Sequence, residues 1–404
     1  MDPQPYIPSD PSLIEVPVLS LQPGMYVAEL DRPWLDSPFA TQGFVVKDDE
    51  EIEFISQHCS HVYIDPRNTV RVNVLTEKRF KPRAARKRLD IRRDFARSKV
   101  DFESASEAMA RVFDQIQVNR RLDITSVKKA INPLIDSVFR NPEAVAALTR
   151  MKDTHEYFFN HSLSVAVWSA VLGRHLGFEK SDLIDLATGA AVMDVGMSEL
   201  GDNILQNTGV LSAAEVKEIQ NHVRYSLERL NETGGVSKTV LNLVACHHER
   251  HDGSGYPMGL NGADIPLHAR IAGLVDSYDA MTTQRPHAPA RSSFEAMQEL
   301  ADMKDAAFQG SLVEHFIQTV GMFPTGCLVE LNTGEVGVVV EQNVTRRLRP
   351  KVILVTDDQK QKRGDMTLLD LSQFAAVQDG TPTQWITREL QVGAYDINPV
   401  DYFL

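Results

Sequence analysis

Short runs of β-branched and aromatic residues, separated by turn-forming residues, characterise the first seventy positions of the chain. These runs predict four strands, Leu13–Val18, Met25–Leu30, Gly43–Val46 and His61–Ile64. Between the last two, Asp48–Gln57 has acidic residues early and apolar ones at Ile52 and Ile55, which predicts a short helix. A small β-rich N-terminal domain over residues 10–72 is therefore expected.

Residues 102–321 instead have the apolar spacing of amphipathic and buried helices. The predicted helices are Ala105–Ile116, Val127–Phe139, His161–Leu176, Asp182–Met193, Ala213–Leu230, Val240–Cys246, Ile271–Met281 and Phe294–Met303. β-branched runs return at Cys327–Leu331, Glu335–Gln342 and Lys351–Thr356, and the chain ends in an aromatic tail that we expect to be frayed. The pattern predicts a multidomain protein in which an all-α helical core is flanked by the N-terminal β-rich domain and a C-terminal β-rich extension over residues 322–404.

A basic segment, residues 73–101, separates the first two of these regions. It carries eleven lysines and arginines between Lys78 and Lys99, opposed only by Asp90 and Asp94. Charge runs of this kind are typical of a solvated linker, and the alternative is a patch for nucleic acid or an acidic partner. The chain as a whole has a formal net charge of -13, which disfavours nucleic acid as a partner.

The cysteines and the apolar runs bear on the cellular compartment. Cys59, Cys246 and Cys327 have no metal-ligand spacing and are too few for a disulfide framework, which favours a reducing compartment. No apolar run approaches the ~20 residues of a membrane span, and the polar, proline-containing start does not resemble a signal peptide. The sequence predicts a cytoplasmic protein.

Histidines concentrate in the helical region, where nine of the twelve fall between residues 155 and 287. In the segment His247–Pro257, two adjacent histidines end an apolar run and a glycine-rich loop follows. Imidazole is a common ligand for Fe, Mn, Ni and Zn, and glycine lets the backbone approach a ligand closely. By this pattern alone, the segment is either a metal site or a pair of structural histidines before a loop.

The same string resembles the signature of the HD-GYP phosphodiesterases, a subgroup of the HD metallohydrolase superfamily. Gly255-Tyr256-Pro257 stands for the second half of that name, and Asp276–Thr282 followed by Arg285-Pro286 resembles the next motif of the family. The β-rich units on either side resemble those of one bacterial branch of the family. The resemblance implies an HD-type helical core over residues 102–321.

The resemblance also implies a set of metal ligands. These are His161, Asp194, His222, His247, His248 and Asp276. Asp194 is expected to bridge two divalent ions, Fe, Mn or similar, one also bound by His161 and Asp276 and the other by the remaining histidines. Two such ions clamp a phosphoryl oxygen and lower the pKa of a shared water.

Further roles follow from the same motifs. The resemblance assigns catalysis to Asp194, Asp252 and Arg285, where Arg285 pairs with a phosphate. Glu249 and Asp252 are expected to orient the histidines or to hold the glycine loop. The loop that contacts substrate or a partner is expected to comprise Gly253, Gly255, Tyr256 and Pro257. The histidines expected to be structural or exposed are His155, His175, His251 and His268.

Five residues depart from the family pattern. Met193 stands where the family has histidine, and a thioether is a poor ligand for hard or borderline ions, so one metal site is expected to be weak. Met197 replaces a lysine that lies near the phosphate. Tyr157 replaces a carboxylate of three-metal members, so no third ion is expected, and His287-Ala288 departs at a substrate contact.

The resemblance implies a bacterial enzyme that hydrolyses cyclic di-GMP to linear pGpG, to GMP or to both. Such an enzyme acts in the second-messenger signalling that controls biofilm formation and motility. Met193 and Met197 leave open a non-catalytic module, which binds the nucleotide or docks a diguanylate cyclase (GGDEF-type) domain through the Gly-Tyr-Pro loop. A phosphodiesterase of cyclic GMP-AMP is a third reading. A homodimer is also left open.

Overall fold

The computed structural model describes the chain apart from residues 1–12, 23, 33–42, 47–48, 66–90, 120–121, 151–156, 206, 208, 286–288, 344–345, 375–383, 392 and 404. Three regions follow one another along it: a small β unit, a helical domain and a second β unit. The predicted multidomain architecture, an all-α core between two β-rich units, is confirmed.

The N-terminal unit is a four-stranded antiparallel sheet with one helix. Its elements are β1 (Ile14–Pro17), β2 (Tyr26–Leu30), β3 (Phe44–Val45), α1 (Asp49–Ser56) and β4 (His61–Ile64), and the strand order is β1-β4-β2-β3. Val27, Ile55 and Val62 are fully buried and belong to a hydrophobic cluster separate from that of the helices. This unit therefore has a small core of its own.

The helical domain contains twelve helices in the described residues. They are α2 (Ile91–Asn119), α3 (Ile124–Arg140), α4 (Pro142–Arg150), α5 (Tyr157–His175), α6 (Lys180–Val192), α7 (Asp202–Leu205), α8 (Ala213–Gln220), α9 (His222–Thr233), α10 (Lys238–Cys246), α11 (Leu267–Thr282), α12 (Ser293–Asp302) and α13 (Gly310–Val320). The sequence patterns did not predict α4, α7 or α13. The predicted helix Ala213–Leu230 is two helices, because the chain turns at Asn221, and this break makes His222 the first residue of α9.

The predicted basic linker, residues 73–101, is described only in part. Residues 73–90 lie outside the described residues, and from Ile91 onward the chain is α-helical. Phe95 and Phe102 lie two helical turns apart and are buried in the helical core, so one face of this charged stretch packs against the domain. The domain boundaries themselves remain a prediction.

The C-terminal unit is a five-stranded antiparallel sheet in the order β8-β7-β6-β5-β9. Its strands are β5 (Leu328–Leu331), β6 (Val336–Glu341), β7 (Lys351–Thr356), β8 (Lys362–Asp370) and β9 (Ile386–Leu390). The sequence patterns missed β8 and β9, the two edge strands, because polar and exposed positions dominate them.

Unlike the first sheet, the C-terminal sheet is fused to the helices. Leu328, Val338 and Ile353 belong to the same hydrophobic cluster as the helical core. The expectation of a frayed tail is wrong for the described residues up to Phe403, because that ring is 1% exposed and stacks on Phe95 at 5.0 Å between centroids.

In the described part of the chain, none of the helices has the length and apolar character that crossing a membrane requires.

Candidate metal centre

Asp194 lies just beyond the end of α6, at the start of a short 3-10 turn, Val195–Glu199. A Cβ atom at Gly196 would lie 2.2 Å from the carbonyl oxygen of His222, so only glycine allows α9 to approach this closely. The Ser226 hydroxyl donates to the Met193 carbonyl at 2.7 Å and accepts from the Gly196 amide at 2.8 Å. The segment that carries Asp194 is thereby fixed against the first turns of α9.

Two buried imidazoles face Asp194 from α9 and from the end of α10. The Nδ1 atom of His222 lies 2.7 Å from the Ile219 carbonyl oxygen, and that of His247 lies 2.8 Å from the Val244 carbonyl oxygen. Because a carbonyl only accepts, each Nδ1 carries a proton, and the neutral form of each ring presents the lone pair of its Nε2 atom to Asp194. The two Nε2 atoms are 3.3 Å apart, and they lie 3.2 Å (His222) and 3.5 Å (His247) from Asp194 Oδ1.

His248 completes this group of imidazoles. Its ring stacks on that of Tyr256, with centroids 4.6 Å apart and planes at 19°. Burial, and secondarily the neighbouring His247, lowers the pKa of His248 well below its usual value, so the ring is neutral and able to act as a ligand. The ligand atoms of Asp194, His222, His247 and His248 all lie within 4.8 Å of one another.

The opposite side of Asp194 is built from α5 and α11. His161 Nε2 lies 3.0 Å from Asp276 Oδ1 and 3.6 Å from Asp194 Oδ2. The other ring nitrogen, Nδ1, lies 2.8 Å from Asp279 Oδ2, one helical turn beyond Asp276. The ligand atoms of His161, Asp194 and Asp276 again lie within 4.8 Å of one another, so Asp194 belongs to both groups.

The carboxylates of this cluster are ionised. Burial raises the pKa of Asp194, but the imidazoles of His161, His222 and His247 outweigh it and hold that pKa well below its usual value. The pKa of Asp276 is also lowered, because the effect of His161 exceeds that of burial. Two buried negative charges therefore share one small space.

The donor set fits a divalent cation. The Nε2 atoms of His222 and His247 face the buried Asp194 Oδ1 at 3.2 and 3.5 Å, which is long for a direct hydrogen bond. Lone pairs of His222 and His247 at 3.3 Å from each other are compatible only when a proton or a cation lies between the donors. Imidazole nitrogens and carboxylate oxygens are the ligands of borderline divalent ions. The cluster can therefore hold a divalent metal.

Three residues that shape this centre, Asp279, Ser226 and Gly273, were not predicted from the sequence. Asp279 orients His161, and its spacing of three residues from Asp276 on one helix was the available signal. Ser226 had no sequence signal. At Gly273 on α11, a Cβ atom would lie 2.2 Å from the His247 carbonyl oxygen, so this glycine permits the contact between α10 and α11.

The Gly-Tyr-Pro loop is held by Glu249, one of the two roles expected for that residue. Its buried carboxylate accepts from the amides of Met258 at 2.7 Å and Leu260 at 2.9 Å. A Cβ atom at Gly255 would lie 2.3 Å from the Arg250 nitrogen, and Gly253 has a φ of +83°. Pro257, after a cis peptide bond, is exposed at the surface of the loop.

Asp252 is not among the clustered ligands, and the Nε atom of Arg285 makes no hydrogen bond to them. The exposed Asp252 accepts a hydrogen bond from the Ser254 amide at 2.9 Å, within its own loop, so its observed contact stabilises the turn. Arg285 is half-buried, and its Nε has no hydrogen-bond partner among the described residues. Their expected catalytic roles stay predictions.

The remaining positions singled out in the sequence are not among the clustered ligands. Met193 is fully buried in the helical core. The Met197 amide donates to the Asp194 carbonyl at 2.8 Å. His155, His287 and Ala288 lie outside the described residues, as does the side chain of Tyr157. The other three histidines lie outside the cluster, at half-buried positions: His175, His251 and His268.

A cavity of about 1310 Å³ lies next to the centre, between the helices and the C-terminal sheet. Trp168, Phe294 and Arg349 line it, and none of the six expected metal ligands does. Asp279 lines it too, so the cavity and the metal centre share the carboxylate that holds His161.

Three protein families match successive parts of the chain. Residues 13–127 match a domain of unknown function, DUF3391. Residues 143–312 match the HD domain, and residues 328–377 match a KOW domain associated with the HD domain.

Three similar proteins are named as phosphodiesterases of cyclic dinucleotides. The chain is 27% identical over 350 residues to the cyclic di-GMP phosphodiesterase PA4108 of Pseudomonas aeruginosa, covering 84% of each chain. It is 35% identical over 134 residues to a 3'3'-cGAMP-specific phosphodiesterase 3 of Vibrio cholerae, covering 33% of this chain and 29% of that one. It is 26% identical over 184 residues to a cyclic di-GMP phosphodiesterase of Thermotoga maritima, covering 45% of this chain and 50% of that one.

Among solved structures, the chain resembles Bd1817, an HDG"Y"P protein from Bdellovibrio bacteriovorus, with a TM-score of 0.47 and 17% identity over 75% of this chain and 98% of that one. The matches to the HD domain and to its associated KOW domain coincide with the helical region and the C-terminal sheet. The motif at residues 247–257 supplies one side of a cluster of imidazoles and carboxylates. Over residues 143–312 the chain belongs to the HD-domain family, and its motif at residues 247–257 is similar to that of the HD-GYP proteins.

Proposed function

We propose that this protein is a metal-dependent phosphodiesterase that hydrolyses cyclic di-GMP to linear pGpG, to GMP or to both. The observation that carries the proposal is the position of Asp194 between two groups of donors, within 4.8 Å of ligand atoms on each side. The name of the P. aeruginosa relative, which is similar over 84% of both chains, supports the substrate.

We propose that the cluster holds two divalent ions, iron, manganese or similar. Asp194 contributes to both sites, with His161 and Asp276 on one side and the three other histidines on the opposite side. When bound, such ions polarise a phosphoryl oxygen and make water a nucleophile at neutral pH. Two ions also offset the negative charge of Asp194 and Asp276, so that a dianionic substrate can approach a chain of net charge -13.

The protein's own groups then orient and enclose the reaction. Asp279 holds the proton of His161 at Nδ1 and keeps Nε2 directed at the cluster. Tyr256 stacks on His248 and brings the Gly253–Pro257 loop to the rim of the site, where we propose that it contacts substrate. Arg285 keeps its proposed role as a phosphate ligand, since its Nε has no partner in the described residues.

The direct test is hydrolysis by the purified chain. The protein is loaded with Fe²⁺ or Mn²⁺ under reducing conditions and given cyclic di-GMP, and the products are separated by chromatography. We expect pGpG or GMP to accumulate with the metal and not after chelation. A folded, metal-loaded protein that leaves cyclic di-GMP intact with each ion contradicts the proposal.

A second candidate substrate is cyclic GMP-AMP. It is favoured by the 35% identity to the V. cholerae relative named as specific for 3'3'-cGAMP, although only 29% of that relative is covered. The values of kcat/KM for the two cyclic dinucleotides, measured side by side, decide between them. The larger value for cyclic GMP-AMP would replace the substrate and leave the metal centre in place.

The non-catalytic alternative is favoured by Met193, which supplies no ligand where the family has histidine. In that case the site binds the cyclic dinucleotide without hydrolysis, or the Gly-Tyr-Pro loop docks a GGDEF-type diguanylate cyclase domain. Cyclic di-GMP binding by an inactive protein, together with activity gained in Met193→His, would establish it. A cytoplasmic location is part of the proposal and is tested by cell fractionation, whereas the homodimer is an open alternative that light scattering decides.

A further inference from the structure

A buried ion pair joins the C-terminal sheet to the helical domain. Glu389 on β9 pairs with Arg150 at the end of α4, and their side chains are only 5% and 15% exposed. Ser293, the first residue of α12, donates to Glu389 through its amide at 2.7 Å and its hydroxyl at 3.1 Å. Arg150 Nη1 in turn donates to the Ser293 hydroxyl at 2.5 Å. Three elements therefore meet on one carboxylate.

The same arginine reaches the helix that carries two carboxylates of the metal centre. Arg150 Nη1 lies 3.3 Å from the hydroxyl of Tyr278, which is on α11 between Asp276 and Asp279. Burial lowers the pKa of Arg150, but Glu389 outweighs it and raises that pKa above its usual value, so the guanidinium stays charged. Without Glu389, a buried positive charge would remain beside α11 with no counter-ion among these contacts.

Tyr278 also fixes how α11 packs on its neighbours. Its ring is 1% exposed and meets Trp168 of α5 edge-on at 6.0 Å and Phe316 of α13 at 5.1 Å. Trp168 lies two helical turns after His161 on α5. The contact between Tyr278 and Trp168 therefore sets the distance between α5 and α11, the two helices that hold His161 between its carboxylates.

We infer that Glu389 is a positioning residue for the metal centre, and that the C-terminal sheet thereby contributes to the geometry of that centre. Through Arg150 and Tyr278, it holds α11 where Asp276 and Asp279 bracket His161. The inference rests on the proposed metal centre and adds a residue from outside the helical domain. It concerns the His161 side of Asp194, since the chain of contacts does not include α9 or α10.

The experiment compares three variants of the full chain. Glu389→Gln removes the charge opposite Arg150. Tyr278→Phe removes only the hydroxyl that Arg150 contacts and keeps the ring. Glu330→Gln is the matched control, because it removes a carboxylate charge from the same sheet. The partners of Glu330, Lys360 and Arg388, also lie in the C-terminal unit, so this pair does not reach the helical domain.

The readouts are the dissociation constant for Mn²⁺, measured by competition with a chelating dye, and the imidazole nitrogen NMR signals of His161 in the metal-free protein. We expect Mn²⁺ to bind up to about tenfold more weakly to Glu389→Gln, since direct partners of metal ligands cost about 10- to 100-fold and Glu389 acts through Arg150 and Tyr278. The loss in Tyr278→Phe should be smaller, because its ring and the contact with Trp168 remain. The His161 signals should shift in both variants, and Glu330→Gln should match the wild type in both readouts.

Wild-type Mn²⁺ affinity and unshifted His161 signals in both test variants overturn the inference, whatever happens to their thermal stability. If Glu389→Gln fails to fold, Tyr278→Phe decides alone. Neither readout needs substrate, so a protein that binds Mn²⁺ but does not hydrolyse cyclic di-GMP contradicts the proposed function without touching this result. A wild-type chain that binds neither Mn²⁺ nor Fe²⁺ overturns both.

Discussion

The two sides of Asp194 are built by different means. On one side, backbone carbonyls of Ile219 and Val244 hold the Nδ1 protons of His222 and His247. On the other side, a side-chain carboxylate, Asp279, holds His161. We call His222, His247 and His248 the imidazole half of the centre, and His161, Asp276 and Asp279 the carboxylate half.

The difference bears on which substitutions the centre tolerates. No side-chain substitution removes a backbone carbonyl, so the orientation of His222 and His247 depends on the helices, whereas His248 stacks on the side chain of Tyr256. The carboxylate half depends on one replaceable side chain and on the packing of α5 against α11. It also has fewer donors around Asp194, two against three. We therefore expect the carboxylate half to bind metal more weakly and to respond more to mutation.

The largest effect should come from removing the residue that both halves share. Asp194→Asn replaces an anionic ligand of both proposed ions, so hydrolysis of cyclic di-GMP should fall by about 10³-fold or more, given that a bound ion supplies several kcal/mol. Steady-state rates and Mn²⁺ stoichiometry measure this. Asp365→Asn, at an exposed position of the C-terminal sheet, is the control and should match the wild type in both measurements. Two ions retained by Asp194→Asn would contradict a shared ligand.

Asp279→Asn should separate the two halves. It removes the charge that orients His161 and leaves the imidazole half untouched, so one Mn²⁺ ion should bind about 10- to 100-fold more weakly and the other unchanged. Titration calorimetry resolves the two steps. Thr283→Ala, which removes only a 3.4 Å hydrogen bond to Asp279, is the matched control. Equal weakening of both steps would show that the halves are not independent.

Met193→His should reduce the difference in metal affinity between the two halves. A histidine at this position, next to Asp194, restores the ligand type of the family pattern, and we expect Mn²⁺ to bind about tenfold more tightly to the weaker site. The number of ions per chain and their dissociation constants test this. An affinity equal to that of the wild type would mean that the missing imidazole is not what limits the site.

His175, at the far end of α5, should affect the pH dependence of stability and not the reaction. Burial, then His315, Arg347 and Arg174, lowers the pKa of His175 from 6.5 to about 4. The unfolded state therefore binds more protons between these two values, and the free energy of unfolding should fall as the pH drops from 6.5 to 4 and be fully retained above 6.5. After allowance for partial exposure, His175 accounts for about 2 kcal/mol of this loss.

Denaturant titrations of the wild type and of His175→Leu across this pH range test the assignment. The variant lacks the titrating ring, so its stability should depend less on pH by that amount. Parallel curves for the two proteins would assign the acid sensitivity to other groups. The activity of both proteins at neutral pH should agree, because His175 lies outside the cluster.

The two β units show what sequence patterns can and cannot predict about the fold. All four strands of the N-terminal sheet were predicted, since each is a short apolar run between turns. In the C-terminal sheet, β8 was missed because its positions are mostly exposed and polar. That the second sheet shares the helical core while the first has its own was not predictable, because the apolar residues of both look alike in the sequence.

The sequence by itself determined the local parts: the helical periodicity, the adjacent pair His247 and His248, and the glycines that the Gly-Tyr-Pro loop requires. These depend on neighbours a few residues away, and the resemblance to a family added the expected ligands. Only the tertiary structure decided that His161 lies between Asp276 and Asp279, more than a hundred residues later in the chain, and that Glu389 meets Arg150 across 239 residues. Such contacts arise from the packing of whole helices and sheets, which short-range preferences do not specify.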